Sequence, residues 1–178
     1  MKRELVLNLA VSLDGYVARE DGSYDWIQAP ADSMANTALQ FDNAAFFESC
    51  DTVVLGHRSF LELGLDEIPG AKEKQFLVAR RGPEEKRDNV HFTPDVVSSV
   101  KELLAEEGGP IWLFGGAQIA DSLIAEDLVS EYILGVVPVI LGKGRRLFDQ
   151  TLPEISLKLV ESTVTDGIAL LRYRKADT

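Results

Sequence analysis

Short unbroken apolar runs recur along the first two-thirds of the chain, separated by stretches whose apolar residues fall at helical spacing. ELVLNLAVS (4–12) predicts a central strand, and DTVVLG (51–56) and KQFLVAR (74–80) predict two more. NVHFT (89–93) predicts a short extended piece and IWLF (111–114) a further buried strand. Between them, NTALQFDNAAFFESC (36–50) predicts a helix through Leu39, Ala44, Phe46, Phe47 and Cys50. HRSFLELG (57–64) predicts a turn or two of helix ending at glycine. DVVSSVKELLAEEG (95–108) predicts a helix with Asp95 near its start and Gly108 after it. A last helix, 117–125, follows strand 111–114 through Gly115-Gly116. Residues 13–26 carry two Asp-Gly turn signals and form a long connection of the kind that serves function in compact domains.

The rhythm then changes. SEYILGVVPVIL (130–141) predicts a strand, GKGRRLF (142–148) a glycine loop, and 157–165 with 167–175 a hairpin turned at Asp166-Gly167. Strand–helix alternation implies a parallel sheet with crossover helices, and an all-β end implies antiparallel strands extending one side of it. The expected fold class is therefore α/β: one domain over 1–178, with a mostly parallel central sheet flanked by helices and C-terminal antiparallel strands.

Composition narrows the function. The 178 residues carry a net charge of −11, which argues against nucleic acid as a partner while leaving room for a small phosphate-bearing ligand. No apolar run approaches membrane-spanning length. The opening MKRELVLNLAVSLDG has too short an apolar core for a signal peptide. With Cys50 as the single cysteine, no internal disulfide is possible, and a cytoplasmic setting is expected. His57 and His91 stand far apart without cysteines or carboxylates at ligand spacing, so no metal site is expected. Neither a P-loop nor a G-x-S-x-G elbow occurs. Cys50, ending an amphipathic helix, reads as a buried structural thiol.

Three strand ends repeat one arrangement. Gly56 precedes His57, Arg58 and Ser59; Arg80 and Arg81 end another strand; Gly115 and Gly116 end a third and open a helix. Ligands of parallel sheets bind beyond the carboxyl ends of the strands, and helix N-termini attract anions. Gly56 alone reads as a strand terminator, and Arg80 with Arg81 alone as a solvated turn. Two glycines after a buried strand point instead to something approaching the backbone. The residues by themselves support the binding of a nucleotide-like anion, without the G-x-G-x-x-G fingerprint.

LNLAVSLDGYVA, DTVVLGHRSF, FLVARR, IWLFGGAQIADSLI and VVPVILGKGRRLF occur in this order over nearly the whole chain. Together they resemble the dihydrofolate reductase-like superfamily, in particular the branch similar to the C-terminal reductase domain of bifunctional riboflavin biosynthesis enzymes. The resemblance implies an NADPH-dependent reductase of a small-molecule substrate with a C=N or C=O group, pteridine- or pyrimidine-like. It implies that Gly56, His57, Arg58 and Ser59 meet the phosphates, and that Ala79, Arg80 and Arg81 lie near the adenosine and its 2′-phosphate. Gly115, Gly116, Ala117, Gln118 and Ile119 would cradle the pyrophosphate and approach the nicotinamide ribose, with Val17 and Ala18 beside the nicotinamide. Many such proteins are homodimers, and the apolar C-terminal strands suggest a self-association surface.

Reduction of a C=N or C=O group calls for a proton. WIQAPAD (26–32) resembles the folate-reductase segment in which a carboxylate closely follows a Trp, with one residue more between them. Asp32 is the first candidate acid and Asp14 the second. Asp32 reads equally as the cap of a helix starting near Met34 or Asn36, and Asp14 as a turn residue. The deaminase partner domain of riboflavin biosynthesis is missing from this sequence. Two other readings are a cofactor-binding sensor without turnover, and an interaction module whose strand-end glycines are purely structural.

Overall fold

The computed structural model describes residues 2–29, 32, 35–81, 87–148 and 151–176. Eight strands form one sheet: β1 (Leu5–Ser12), β3 (Thr52–Gly56), β4 (Gln75–Ala79), β5 (Val90–Thr93), β6 (Ile111–Gly115), β7 (Val129–Val137), β9 (Leu157–Thr165) and β10 (Ile168–Lys175). Two short strands, β2 (Tyr16–Ala18) and β8 (Arg145–Arg146), pair separately. The helices are α1 (Asn43–Ser49), α2 (His57–Glu62), α3 (Val96–Ala105) and α4 (Ala117–Ala125).

The sheet order is β5-β4-β3-β6-β1-β7-β10-β9. Every pair from β5 to β7 is parallel, whereas β10 runs antiparallel to both β7 and β9. This is the α/β single-domain arrangement the sequence pattern predicts. β1 is central and wholly apolar on one face: Leu5, Leu7 and Val11 join Leu113 in a core closed by Val100 of α3 and by Ala120, Leu123 and Ile124 of α4. On the other face, Val53, Leu55, Phe76 and Val78 meet Phe60 of α2, with Phe47 of α1 packed against them.

Glu131 of β7 is 2% exposed and ties β10 to the parallel strands. Its carboxylate accepts from Arg172 Nε at 2.6 Å and Arg174 Nε at 2.7 Å. A buried charge is tolerated there because both its oxygens are paired.

The helix expected over 36–50 begins only at Asn43, where the Asp42 side chain accepts from the Ala45 amide at 2.9 Å. The preceding residues serve another contact. Thr37 N–H donates to Val164 O at 2.9 Å, Asn36 Oδ1 accepts from Asp166 N–H at 2.8 Å, and Gly167 N–H donates to Ala35 O at 3.0 Å. Backbone groups bound to the β9–β10 turn are unavailable for a helical ladder. Leu39, placed by spacing on a buried face, is 81% exposed. Met34, the other expected helix start, lies outside the described residues. β7 stops at Val137, before Pro138 removes the next amide donor. Cys50 is buried as expected, and burial pushes its thiol up to about 11.

Leu113 is fully buried in the centre of the sheet. Leu113→Ala is expected to lower unfolding stability by about 2–5 kcal/mol, read from the midpoint of urea denaturation at unchanged slope.

Candidate functional site

Parallel pairing carries the carboxyl ends of β4, β3 and β6 to one edge. Gly56 pairs in register with Ala79, and Leu55 with Gly115. A Cβ on Gly56 would sit 3.1 Å from Ile119 Cδ1 and 3.9 Å from Gly116 N, so the glycine-led starts of α2 and α4 lie side by side. The structure thus brings Gly56, Ala79, Gly115, Gly116 and Ile119 together.

The two glycines of the β6–α4 junction differ. Gly115 has φ +113°, a left-handed backbone that favours glycine, and its peptide bond to Gly116 is cis. Gly116 has φ −71° and ψ −175°, which any residue adopts, and a Cβ there would meet no atom within 4 Å. Backbone conformation does not require glycine at 116; open space lies beside it. Gly116 is the N-cap of α4 and provides no side-chain acceptor, so the first turn of that helix has no side-chain cap. Ala117 and Gln118 begin the helix there.

That space belongs to a cleft of about 960 Å³. Val17, Ala18, Arg58, Ser59, Gly116 and Ala117 line one end of the set anticipated from sequence. Arg58 sits between α2 and the first long loop: Nε donates to Glu62 at 2.9 Å and Nη2 to Asp21 O at 3.1 Å, with the guanidinium lying over Gly22. Arg80 lies outside the cleft lining, its guanidinium 5.6 Å over the Phe92 ring. The same ring meets His57 edge-on at 6.4 Å, so Arg80 and His57 share one patch at the carboxyl ends of β4 and β5. Arg81 is exposed just beyond it.

The rest of the cleft was not legible as a site in the sequence. Its floor is the sheet itself: Asn8 and Ala10 of β1, Gly135 and Val137 of β7, Ile168 and Leu170 of β10. One wall is aromatic, built on Trp112, whose ring lies 5.1 Å from Phe114 and 5.8 Å from Phe46. Phe41 also lines it, 6.1 Å from Phe46. The Trp112 indole donates to Asn8 O at 2.9 Å. The period-2 alternation of β1 could have flagged Asn8, an amide on the strand face it shares with Val6, Ala10 and Ser12. Asn43 and the floor of β10 come from distant sequence and gave no such signal.

Neither candidate acid lines the cleft. Asp32 is exposed on a turn, and the helix it was expected to cap starts at Asn43 under Asp42 instead. Asp14 is a fastener. Its carboxylate accepts from Ser12 Oγ at 2.7 Å, Gly142 N–H at 2.7 Å and Leu141 N–H at 3.1 Å. The Ser12 hydroxyl above all, opposed by desolvation and joined by the Gly142 and Leu141 amides, holds its carboxyl down at about 2. The 142–146 loop is thereby drawn against β2, where Gly144 lies so close to the Ala18 carbonyl that a Cβ would not fit. Among the described residues, no group of three or more His, Cys, Asp or Glu is placed to hold a metal ion. Among them too, no helix is long and apolar enough to cross a membrane.

Comparison with known proteins gives the family and the fold. The family model described as the RibD C-terminal domain matches residues 67–170. The Bacillus subtilis protein YwjB is 33% identical over 179 residues, spanning 99% of this chain and 100% of YwjB. Among solved structures, the Thermotoga maritima diaminohydroxyphosphoribosylaminopyrimidine deaminase/5-amino-6-(5-phosphoribosylamino)uracil reductase superposes with TM-score 0.66 at 18% identity, over 98% of this chain and 57% of that one. Enterococcus faecalis dihydrofolate reductase, solved with NADP(H), superposes with TM-score 0.64 at 16% identity over 99% of both chains. The fold is dihydrofolate reductase-like.

Asp14 is depressed in the folded state, so its contribution to stability is present above the usual carboxylate range and is lost as pH falls through about 2. Asp14→Ala is expected to melt below the wild type at pH 7, and the gap should narrow from about pH 4 downward. Thermal unfolding followed by circular dichroism across pH 2–7 checks this; a gap independent of pH would remove the carboxylate's role.

Proposed function

We propose that this chain, which belongs to the family of RibD C-terminal domains, is a reductase that uses NADPH to reduce a C=N or C=O group of a small planar heterocycle. The observation that carries the reading is Gly116: side-chain-free without conformational need, open to the cleft, and heading an uncapped nine-residue helix beside Arg58 and Ser59. Residues present fit the cofactor. In this reading Gly115, Gly116, Ala117, Gln118 and Ile119 hold the pyrophosphate, with Gly56, His57, Arg58 and Ser59 across from them. Arg80, with Ala79 and Arg81, takes the 2′-phosphate, and the Phe92 ring keeps its guanidinium in place. Val17 and Ala18 pack on the nicotinamide.

Bound NADPH supplies a hydride, and the cofactor carries that chemistry. The chain's own part is positioning. β2 and β8 close over the cleft, the Asp14 fastener holds them together, and the sheet floor supports the substrate. The pyrimidine named for the Thermotoga relative is one member of this substrate class. A cytoplasmic site of action suits the reduced, buried Cys50.

Self-association completes the proposal. The outer strand β9 exposes Leu157, Leu159 and Val160 by 39%, 49% and 46%. An open strand edge bearing apolar side chains invites pairing, and a second copy of the chain is the occupant we assign to it. Light scattering on the eluting protein at micromolar concentration is expected to give a dimer mass; a monomer would remove this part.

Calorimetric titration with NADPH and NADH tests the cofactor reading. Arg80→Ala is expected to weaken NADPH binding about tenfold or more, roughly 1.4 kcal/mol, with little change for NADH. Gly116→Ala is expected to weaken both while leaving the fold intact. Equal losses at Arg80 would refute the 2′-phosphate assignment. Binding with no NADPH oxidation across carbonyl and imine substrates would make the protein a sensor rather than an enzyme.

A further inference from the structure

β5 and β9 are the two edges of the sheet. β5 has four residues, and shortness protects an edge from unwanted pairing; β9 has nine. The outer side of β9 is divided. Towards its turn, Thr37 N–H donates to Val164 O and Val164 N–H to Thr37 Oγ, both at 2.9 Å. Asp166 N–H donates to Asn36 Oδ1 at 2.8 Å, so this end is plugged by the chain itself. Thr163 is buried, and Val164 and Thr165 are half-buried. Further down, Leu157 to Val160 and Ser162 are exposed and Glu161 is half-exposed. Among the described residues, no strand pairs with the outer side of that stretch.

The open stretch complements itself. Leu159 stands opposite Tyr173 and Glu161 opposite Arg172, with Val160 as an extra residue where the register shifts. On a regular strand, positions three apart lie on opposite faces. The extra residue cancels this: Lys158 and Glu161 share the face of Arg174 and Arg172, while Leu157, Leu159 and Ser162 share that of Lys175, Tyr173 and Leu171. Lys158 is directly opposite a like charge, Arg174, which is unfavourable, and among the described residues it has no carboxylate partner. Glu161 meets Arg172 at 3.3 Å, with its side chain still 37% exposed.

We propose that Leu157–Ser162 pairs antiparallel with the same stretch of a second copy, about a two-fold axis between Leu159 and Val160, joining two sheets into one. The self-association reading is its premise; the surface, the register and the charge pairs are added here. In this register Lys158 faces the partner's Glu161, Leu159 the partner's Val160, and Leu157 the partner's Ser162. A two-fold interface uses each contact twice, so two Lys–Glu pairs form and each Lys158 gains the carboxylate it lacks. Sliding the strands by one residue sets side chains of one face against those of the other. Sliding two residues towards the turn brings Leu157 against Val164, already held by Thr37. The two bulges fall beside the axis, so neither faces an uninterrupted strand.

Exchanging the charges between copies tests the register. Lys158→Glu alone sets Glu against Glu at both pairs, and Glu161→Lys alone sets Lys against Lys. Each variant is expected to dimerise about tenfold or more weakly than wild type in sedimentation velocity over a concentration series. An equimolar mixture of the two restores both pairs, and its heterodimer is expected within a few-fold of the wild-type affinity. Labelling one variant with 15N lets native mass spectrometry separate heterodimer from homodimers. Lys158→Glu mixed with wild type keeps one pair of the two and is expected to fall between. That arm holds even if Glu161→Lys, placed beside Arg172, folds poorly.

Unchanged dimerisation of Lys158→Glu, or a mixture no tighter than the variants alone, would overturn the register while leaving self-association in place. A wild-type monomer at every concentration would remove both. Lys158 and Glu161 do not line the cleft, so Lys158→Glu is expected to bind NADPH as wild type does. Failure of the reductase reading therefore shows in the cofactor titration and not in the sedimentation.

Discussion

Parallel pairing of six strands is the constraint from which the site follows. Because β5, β4, β3, β6, β1 and β7 all run the same way, their carboxyl ends reach a single edge, and each crossover helix must begin there. The start of a helix leaves backbone amides without intrahelical acceptors. Three neighbouring strand ends thus concentrate amides, the glycines Gly56, Gly115 and Gly116, and the arginines Arg58, Arg80 and Arg81. These positive side chains gather at one edge of a chain whose net charge is −11.

Helix placement then shapes the cleft. α3 and α4 cover one face around Leu5, Leu7 and Leu113, whereas α1 and α2 cover only the β3, β4 and β6 side of the other. The floor formed by β1, β7 and β10 is left apolar and open, with Ala10 and Gly135 keeping its centre low. A Cβ on Gly135 would meet Ile168 Cγ2 at 3.7 Å and Ala10 Cα at 4.0 Å, ordinary contacts, so a larger residue there would simply raise the floor. Antiparallel β10 widens this surface, and Glu131 fixes it in place by binding Arg172 and Arg174.

The loops over the cleft are held by polar contacts rather than by core packing. Asp14 gathers the Ser12 hydroxyl from two residues back and the Leu141 and Gly142 amides from 127 and 128 residues ahead. Arg58 performs a similar task between α2 and the turn at Asp21. Such fastenings leave the apolar floor uncovered while keeping β2 over its mouth. They also explain why a residue that reads as a possible acid is instead an anchored anion: three hydrogen bonds stabilise the charged carboxylate, and protonation would forfeit them.

The strands of the main sheet, the parallel-to-antiparallel change and the glycine junction were legible locally, because apolar runs, period and turn residues act over a few neighbouring positions; the short β2 and β8, read as a connection and a glycine loop, were not. The dihydrofolate reductase-like fold and the RibD C-terminal domain family were legible for the same reason, through five motifs in order. The helix bound at Asn43 was not, because the Asn36–Thr37 segment surrenders its helical pattern to hydrogen bonds with a hairpin tip more than 120 residues away. Nor was the task of Asp14, which depends on amides at 141 and 142. Gly116 was conspicuous in sequence, but only the packed fold separates it from Gly115, one residue constrained by a positive φ and the other by open space. The contact between Asn8 and Asn43 is wholly tertiary: the two lie 35 positions apart in sequence, beyond the reach of any local pattern.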